Sequence, residues 1–284
     1  MKKTLITATA VATVMSASAA YADLSLGGAL ARQINSGDGT SGISNTSTSS
    51  TINVDYTTTL NNGMGMTAKT DITPSGAVYL LTVSSDMGSF FTGSDFASAV
   101  DSYDGAQGAG RYSGGGRILK SATAFNDGDS ASGNGFGIKT SLAGASVSAT
   151  MGAGANRALS IAGSMNIAGA TVKAGNTDFD TSGSPDHGFM TVGYSVGGFN
   201  LGWGHWDSDA TSMTQIGACT SVGGMGVGVT SASADNGSAA DTDAFGVHLS
   251  GDLGGAFWVI DYVNTDNGDG TESDDYTISF GTGF

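Results

Sequence analysis

The last nine residues, Tyr276 to Phe284, alternate in character: Tyr276, Ile278, Phe280 and Phe284 fall on one parity, with small or polar residues between them. In an extended strand successive side chains point to opposite faces, so this segment has one apolar and one wet face. A soluble sandwich would bury the apolar face against a second sheet. A chain ending on such a strand is better served if lipid is the solvent on that side.

The same period-2 pattern recurs along the chain, in pairs joined by short Gly- or Asn-rich turns and separated by longer polar stretches. A first strand covers 24–34. Runs 51–60 and 64–72 flank Asn61-Asn62-Gly63, and runs 77–84 and 89–94 flank Asp86-Met87-Gly88. Five further pairs follow: 136–142 with 146–151, 158–165 with 170–175, 189–195 with 199–206, 213–220 with 225–231, and 244–250 with 256–263. The strand 275–284 is the sixteenth. Residues that adopt positive φ sit where tight hairpins need them. An even count suits a single-chain bacterial barrel, with about 9–11 residues per crossing. The expected fold is therefore all-β, a 16-stranded antiparallel transmembrane β-barrel.

Composition narrows the environment. No segment approaches the roughly 18–20 continuous apolar residues of a spanning helix, yet a closed barrel also satisfies every backbone group in lipid. The chain holds 47 Gly and only 2 Pro, within a regular alternation of Val, Ile, Phe and Tyr that favours curved sheet over disorder. Lys2 and Lys3, an apolar run over 4–14 and the small-x-small site Ala20-Tyr21-Ala22 predict a signal peptide at 1–22, leaving a barrel over 23–284. Ten Lys+Arg stand against 25 Asp+Glu, for a net charge of −15. Nucleic-acid binding through a basic footprint is excluded on that balance. Cys219 is alone, so no disulfide forms within the chain, and it is expected to be a small wall residue.

The alternation also assigns faces. Ile52, Val54 and Tyr56 point to lipid while Asn53, Asp55 and Thr57 point inward, and Phe245, Val247 and Leu249 oppose Gly246, His248 and Ser250. The inward set collects Asp55, Lys69, Asp71, Lys139, Lys173, His248 and Asp261, which implies water inside rather than a packed core. Tyr56, Tyr194, Trp203, Trp206, Trp258, Tyr262 and Tyr276 are expected in the aromatic girdles at the two interfaces. Strands 1, 8 and 9 read as Gly/Ala-rich on the wall facing lipid, suited to close packing against a neighbouring copy.

Between 95 and 135 runs a connection of unusual length. It carries an acidic segment with Asp95, Asp101 and Asp104, then a Gly-rich basic one with Arg111, Arg117 and Lys120. Loops that long in a compact domain are usually functional or disordered.

The leader, the hairpin count, this third connection after GSFFTGSDFASAVDSYDG, and the terminal YTISFGTGF resemble the trimeric general-diffusion porins of Gram-negative outer membranes. The resemblance implies a long third loop folded into the lumen, forming an eyelet where loop carboxylates face basic wall residues. It also implies a homotrimer in the bacterial outer membrane, in contact with its lipid and lipopolysaccharide. Asp95, Asp101 and Asp104 look like the loop carboxylates, and Lys139 like a wall cation, with Lys69 and Lys173 as secondary candidates for that role. Arg111, Arg117 and Lys120 join the constriction as loop cations. Tyr276, Phe280 and Phe284 resemble the signal read by the barrel-assembly machinery. Family eyelets often carry a row of arginines, whereas this chain has only Arg32, Arg111, Arg117 and Arg157.

The expected function is a water-filled channel for passive diffusion of small hydrophilic solutes and ions, preferring cations. The alternative is an outer-membrane barrel enzyme, a protease or phospholipase, which needs a base such as His with an Asp or Ser partner. His187, His205 and His248 are read as solvated or interfacial, so no catalytic residue is assigned. No cofactor or metal site is expected, although the oxygen-rich segment 266–275 is a candidate for loop-bound Ca²⁺.

Overall fold

The computed structural model describes residues 23–37, 45–94, 99–100, 135–152, 158–179, 186–208, 211–237 and 239–283. Sixteen strands follow in order: β1 (Asp23–Gly37), β2 (Asn45–Thr59), β3 (Gly65–Thr73), β4 (Gly76–Ser85), β5 (Gly88–Gly93), β6 (Gly135–Leu142), β7 (Ala145–Gly152), β8 (Ala158–Ile167), β9 (Ala170–Phe179), β10 (His187–Val196), β11 (Phe199–Ser208), β12 (Thr211–Val222), β13 (Met225–Asp235), β14 (Thr242–Asp252), β15 (Ala256–Asp266) and β16 (Glu272–Gly283). Each pairs antiparallel with its chain neighbours, and β1 pairs with β16, so the sheet closes on itself. Closure leaves no unpaired edge, the condition for a sheet to cross a bilayer.

The hairpin turns at one end follow from local chemistry. Leu142 pairs with Ala145 and Ile167 with Ala170, so each loop is two residues long. Ala143 and Gly144 have φ of 52° and 83°, and Ala168 and Gly169 have 49° and 85°. Two positive φ values in a two-residue loop match the twist of the flanking strands. At the other end the β3–β4 connection is also a two-residue turn, because Thr73 pairs with Gly76. A longer loop was expected between those strands; Pro74 and Ser75 suffice, since Pro presets a turn backbone.

The two faces separate as the alternation predicts. Among the described residues, every exposed large apolar side chain within the strands except Phe257 lies on one face, from Leu26 and Ile52 through Ile138, Ile161 and Ile216 to Phe280. That face is convex and apolar. Tyr56, placed there by its pairing with Leu24, is buried and not exposed at an interface. Tyr194, Trp203 and Tyr276 stand exposed on the convex face, and Tyr276 packs on Tyr262 with ring centroids 4.9 Å apart.

Trp206 departs from expectation. It shares a face with inward-pointing Phe189 and Met213 and is 2 % exposed, so it belongs to the interior and not to a girdle. It joins Ala162, Phe189, Met213, Ala232, Ala234, Ala244 and Val263, together with helical Ala99 and Val100, in one buried apolar cluster. Part of the concave side is therefore packed, where a uniformly wet interior was expected. The small residues of β8 also turn inward: Ala158 and Ala162 are buried, while Leu159, Ile161, Met165 and Ile167 are exposed outside. The close-packing outer wall expected of β8 is thus a bulky aliphatic one.

Aromatic rings lie flat against glycine within this wall. A Cβ on Gly137 would come 2.5 Å from the Phe91 ring, and one on Gly175 would come 2.5 Å from the Phe189 ring. Phe91 pairs with Gly137 and Phe189 with Gly175. Glycine lets these rings cover the sheet instead of projecting into the lumen.

Candidate functional site

The inner wall differs from one side of the ring to the other. On β2 to β6 the inward side chains Asn53, Asp55, Thr67, Lys69, Asp71, Thr82, Ser84 and Ser89 are half-buried, and Lys139 and Ser141 are exposed. Toward the long-connection end of β7 to β15, the inward Thr150, Ser160, Thr177, Thr191, Gln215, Ala232 and Ala234 are buried. Water thus reaches the β2–β6 wall, which carries Asp55, Lys69, Asp71 and Lys139.

Pairing in register brings that charge together. Asp55 stands opposite Lys69, and Asn53 opposite Asp71. The Lys69 ammonium donates to Asp71 Oδ2 at 2.9 Å, and the Asn53 amide donates to Asp71 Oδ1 at 2.7 Å. Lys69 and Asp71 are two positions apart on one strand, hence on the same face. Ser84 and Ser89 share a hydrogen bond at 2.8 Å across β4 and β5. Lys139 is paired in register with Ser89 and points into the lumen. Lys173 is also inward, on β9, opposite Thr191.

Ala99 and Val100, from the long third connection, reach the inner wall. The Ala99 amide donates to Thr150 Oγ1 at 2.8 Å, and the Val100 amide donates to Ser160 Oγ at 3.0 Å. Thr177 Oγ1 donates to the same Ser160 oxygen at 3.0 Å. All of these groups are buried, so each lost partner costs about 1–3 kcal/mol. Thr150 and Ser160 went unnoticed in the sequence because inward Ser and Thr are common on every strand. Replacing both, as Thr150→Val with Ser160→Ala, should loosen this anchor. Single-channel recordings should then show a larger or noisier open level, and an unaltered trace would mean the contact does not hold the segment.

His248 and Asp261 are the inward pair on β14 and β15, directly opposite in register. His248 Nδ1 and Asp261 Oδ1 lie 2.6 Å apart, with the residues 7 % and 2 % exposed. His248 was expected to be solvated; it is instead buried against a carboxylate, because the two strands pair it there. β6 and β14 stand eight places apart in the ring of sixteen, so Lys139 and His248 occupy opposite walls. His205 points outward, stacked on Trp203 with centroids 6.3 Å apart and bonded to Thr214 at 2.9 Å. Cys219 is a half-buried inward wall residue beside Asn200.

The loop residues Asp95, Asp101, Asp104, Arg111, Arg117 and Lys120 lie outside the described residues, as does Phe284. Tyr276 and Phe280 both stand exposed on the convex face of β16. In the loop 267–271, Asp269 accepts from the Thr271 hydroxyl at 2.5 Å and from its amide at 2.9 Å, which holds the Asp269 carboxyl below its ordinary value. Asp266 caps the Gly268 amide and Asp274 accepts from Tyr262 and Asn264. The acids of the calcium candidate therefore spend oxygens on their own turn and neighbours. Among the described residues no group of three or more His, Cys, Asp or Glu is arranged to hold a metal.

Solved structures share this architecture. A loop L8 deletion mutant of OmpT, an outer membrane protein of Vibrio cholerae, matches with a TM-score of 0.69 at 16 % identity, over 93 % of this chain and 100 % of its own. The trimer form of in-vitro folded OmpT matches with 0.67 at 15 %, over 93 % and 100 %. A porin matches with 0.67 at 15 %, over 91 % of this chain and 100 % of its own. The fold is that of an outer-membrane β-barrel. No family model matches the chain, and comparison with curated proteins returns no match.

Proposed function

We propose that this barrel is a porin-type channel, through which small hydrophilic solutes and ions diffuse passively across the outer membrane, with cations preferred. One observation carries the reading: a convex face of exposed apolar side chains surrounds an inner wall on which Asp55, Lys69, Asp71 and Lys139 keep contact with water. Charges retained inside a lipid-facing barrel mark a polar path, since an isolated buried charge is costly. The segment 99–100, bonded to the inner wall, supports a third loop that narrows the lumen, and the loop acids and bases remain its proposed constriction. A porin among the structural neighbours supports this reading. A homotrimer is proposed from the trimer form among the same neighbours. The lipopolysaccharide contact and recognition of Tyr276, Phe280 and Phe284 by assembly machinery rest on the sequence resemblance alone.

A second reading draws on His248 and Asp261. A carboxylate at 2.6 Å from an imidazole nitrogen is the arrangement that orients a general base. A barrel hydrolase would use it.

Purified protein in a planar bilayer separates the two. The channel predicts stable, large, ohmic steps and a reversal potential biased toward cations, weakening at high salt as exposed charges are screened. His248→Ala should leave those steps in place. Absence of conductance, with hydrolysis of peptide or lipid that vanishes in His248→Ala, would replace the channel with the enzyme.

A further inference from the structure

We infer that charge selection in this barrel is set on the β2–β3 wall, where Asp55 is the residue that small inorganic or organic cations meet. The inference rests on the channel reading above and deepens it. Asp55 and Lys69 are register partners, so a simple cross-strand ion pair between them would be the default. The geometry is different. Lys69 gives its ammonium to Asp71 at 2.9 Å, along its own strand, and the remaining Asp71 oxygen is taken by Asn53 at 2.7 Å. Asp71 is thus satisfied on both oxygens, and the Lys69 charge is compensated within the cluster.

Asp55 is left over. Its Oδ1 is buried and has no hydrogen-bond partner. No donor offsets the charge on that oxygen, and from the half-buried Asp55 side chain its field reaches cations in the lumen. Two carboxylates against one ammonium leave the cluster with a net negative charge, on the side of the ring that water reaches. Lys69 resembles a wall cation in sequence; in the folded barrel its ammonium is paired with Asp71, which offsets its charge although the side chain stays 39 % exposed. The wall selects cations because Asp71, itself held by Asn53, captures the lysine and leaves Asp55 without it.

The test is a charge series read as reversal potential under a KCl gradient in planar bilayers, on full-length protein refolded as a barrel. Lys69→Gln makes the cluster more negative, Asp55→Asn makes it neutral, and Asp55→Asn with Asp71→Asn makes it positive. Asp55→Asn should lower the K⁺/Cl⁻ permeability ratio roughly fivefold, the weight of one elementary charge at contact distance in water. Lys69→Gln should raise the ratio, and the double variant should carry it below that of Asp55→Asn alone. Lys69→Gln moves the reading upward, so a variant that merely damages the barrel cannot mimic the series. Conducting channels whose reversal potential is the same across the series would overturn the role of Asp55. If the unaltered protein carries no current, the channel reading fails instead, and the two failures are told apart.

Discussion

Ile138→Arg is expected to destabilise the barrel in a bilayer by about 2–4 kcal/mol, the cost of a cationic side chain on the lipid face near mid-membrane. Lys139→Arg, one residue further on, should be close to neutral. The contrast follows from the pleat. Ile138 is 54 % exposed on the convex face, whereas Lys139 is exposed toward the lumen. A soluble protein with the same strand would show little penalty at Ile138, because water would solvate the guanidinium. Equilibrium unfolding from lipid vesicles measures both variants, and equal stabilities would reverse the assignment of faces or remove the bilayer altogether.

Trp206→Ala should cost about 3–5 kcal/mol, the range for truncating a buried aromatic. The ring lies over Gly204, beside Phe189 and Met213, and is 2 % exposed. Its loss would open a cavity on the concave wall next to the cluster that includes Ala99 and Val100. An interfacial Trp, by comparison, would lose little on truncation and would mainly alter anchoring depth. Trp203→Ala is the internal control, since Trp203 stands outside at 37 % exposure. If the two variants unfold alike, the interior cluster contributes less than its burial implies.

Much of this architecture was legible in period-2 alternation, because a strand's pleat obliges neighbouring side chains to opposite faces whatever surrounds them. The count of sixteen, the hairpin turns and the inward placement of Asp55, Lys69, Asp71, Lys139, Lys173, His248 and Asp261 all follow from it. Trp206 could have been read correctly: three positions from Trp203 in one strand, it has to face the other way. Grouping both as girdle residues ignored that parity. For Thr150 and Ser160 no local signal existed, since their partners, Ala99 and Val100, lie 51 and 60 residues away.

Local pattern, then, decides which way each side chain points, through backbone geometry that needs only the nearest residues. It says nothing of what meets that side chain inside the closed ring. Whether Lys69 pairs with Asp55 or Asp71, whether His248 is wet or held by Asp261, and which part of the concave wall is packed are set by strand register and by returning chain. Those contacts join residues far apart in sequence, and their energies depend on burial that exists only once β1 has met β16.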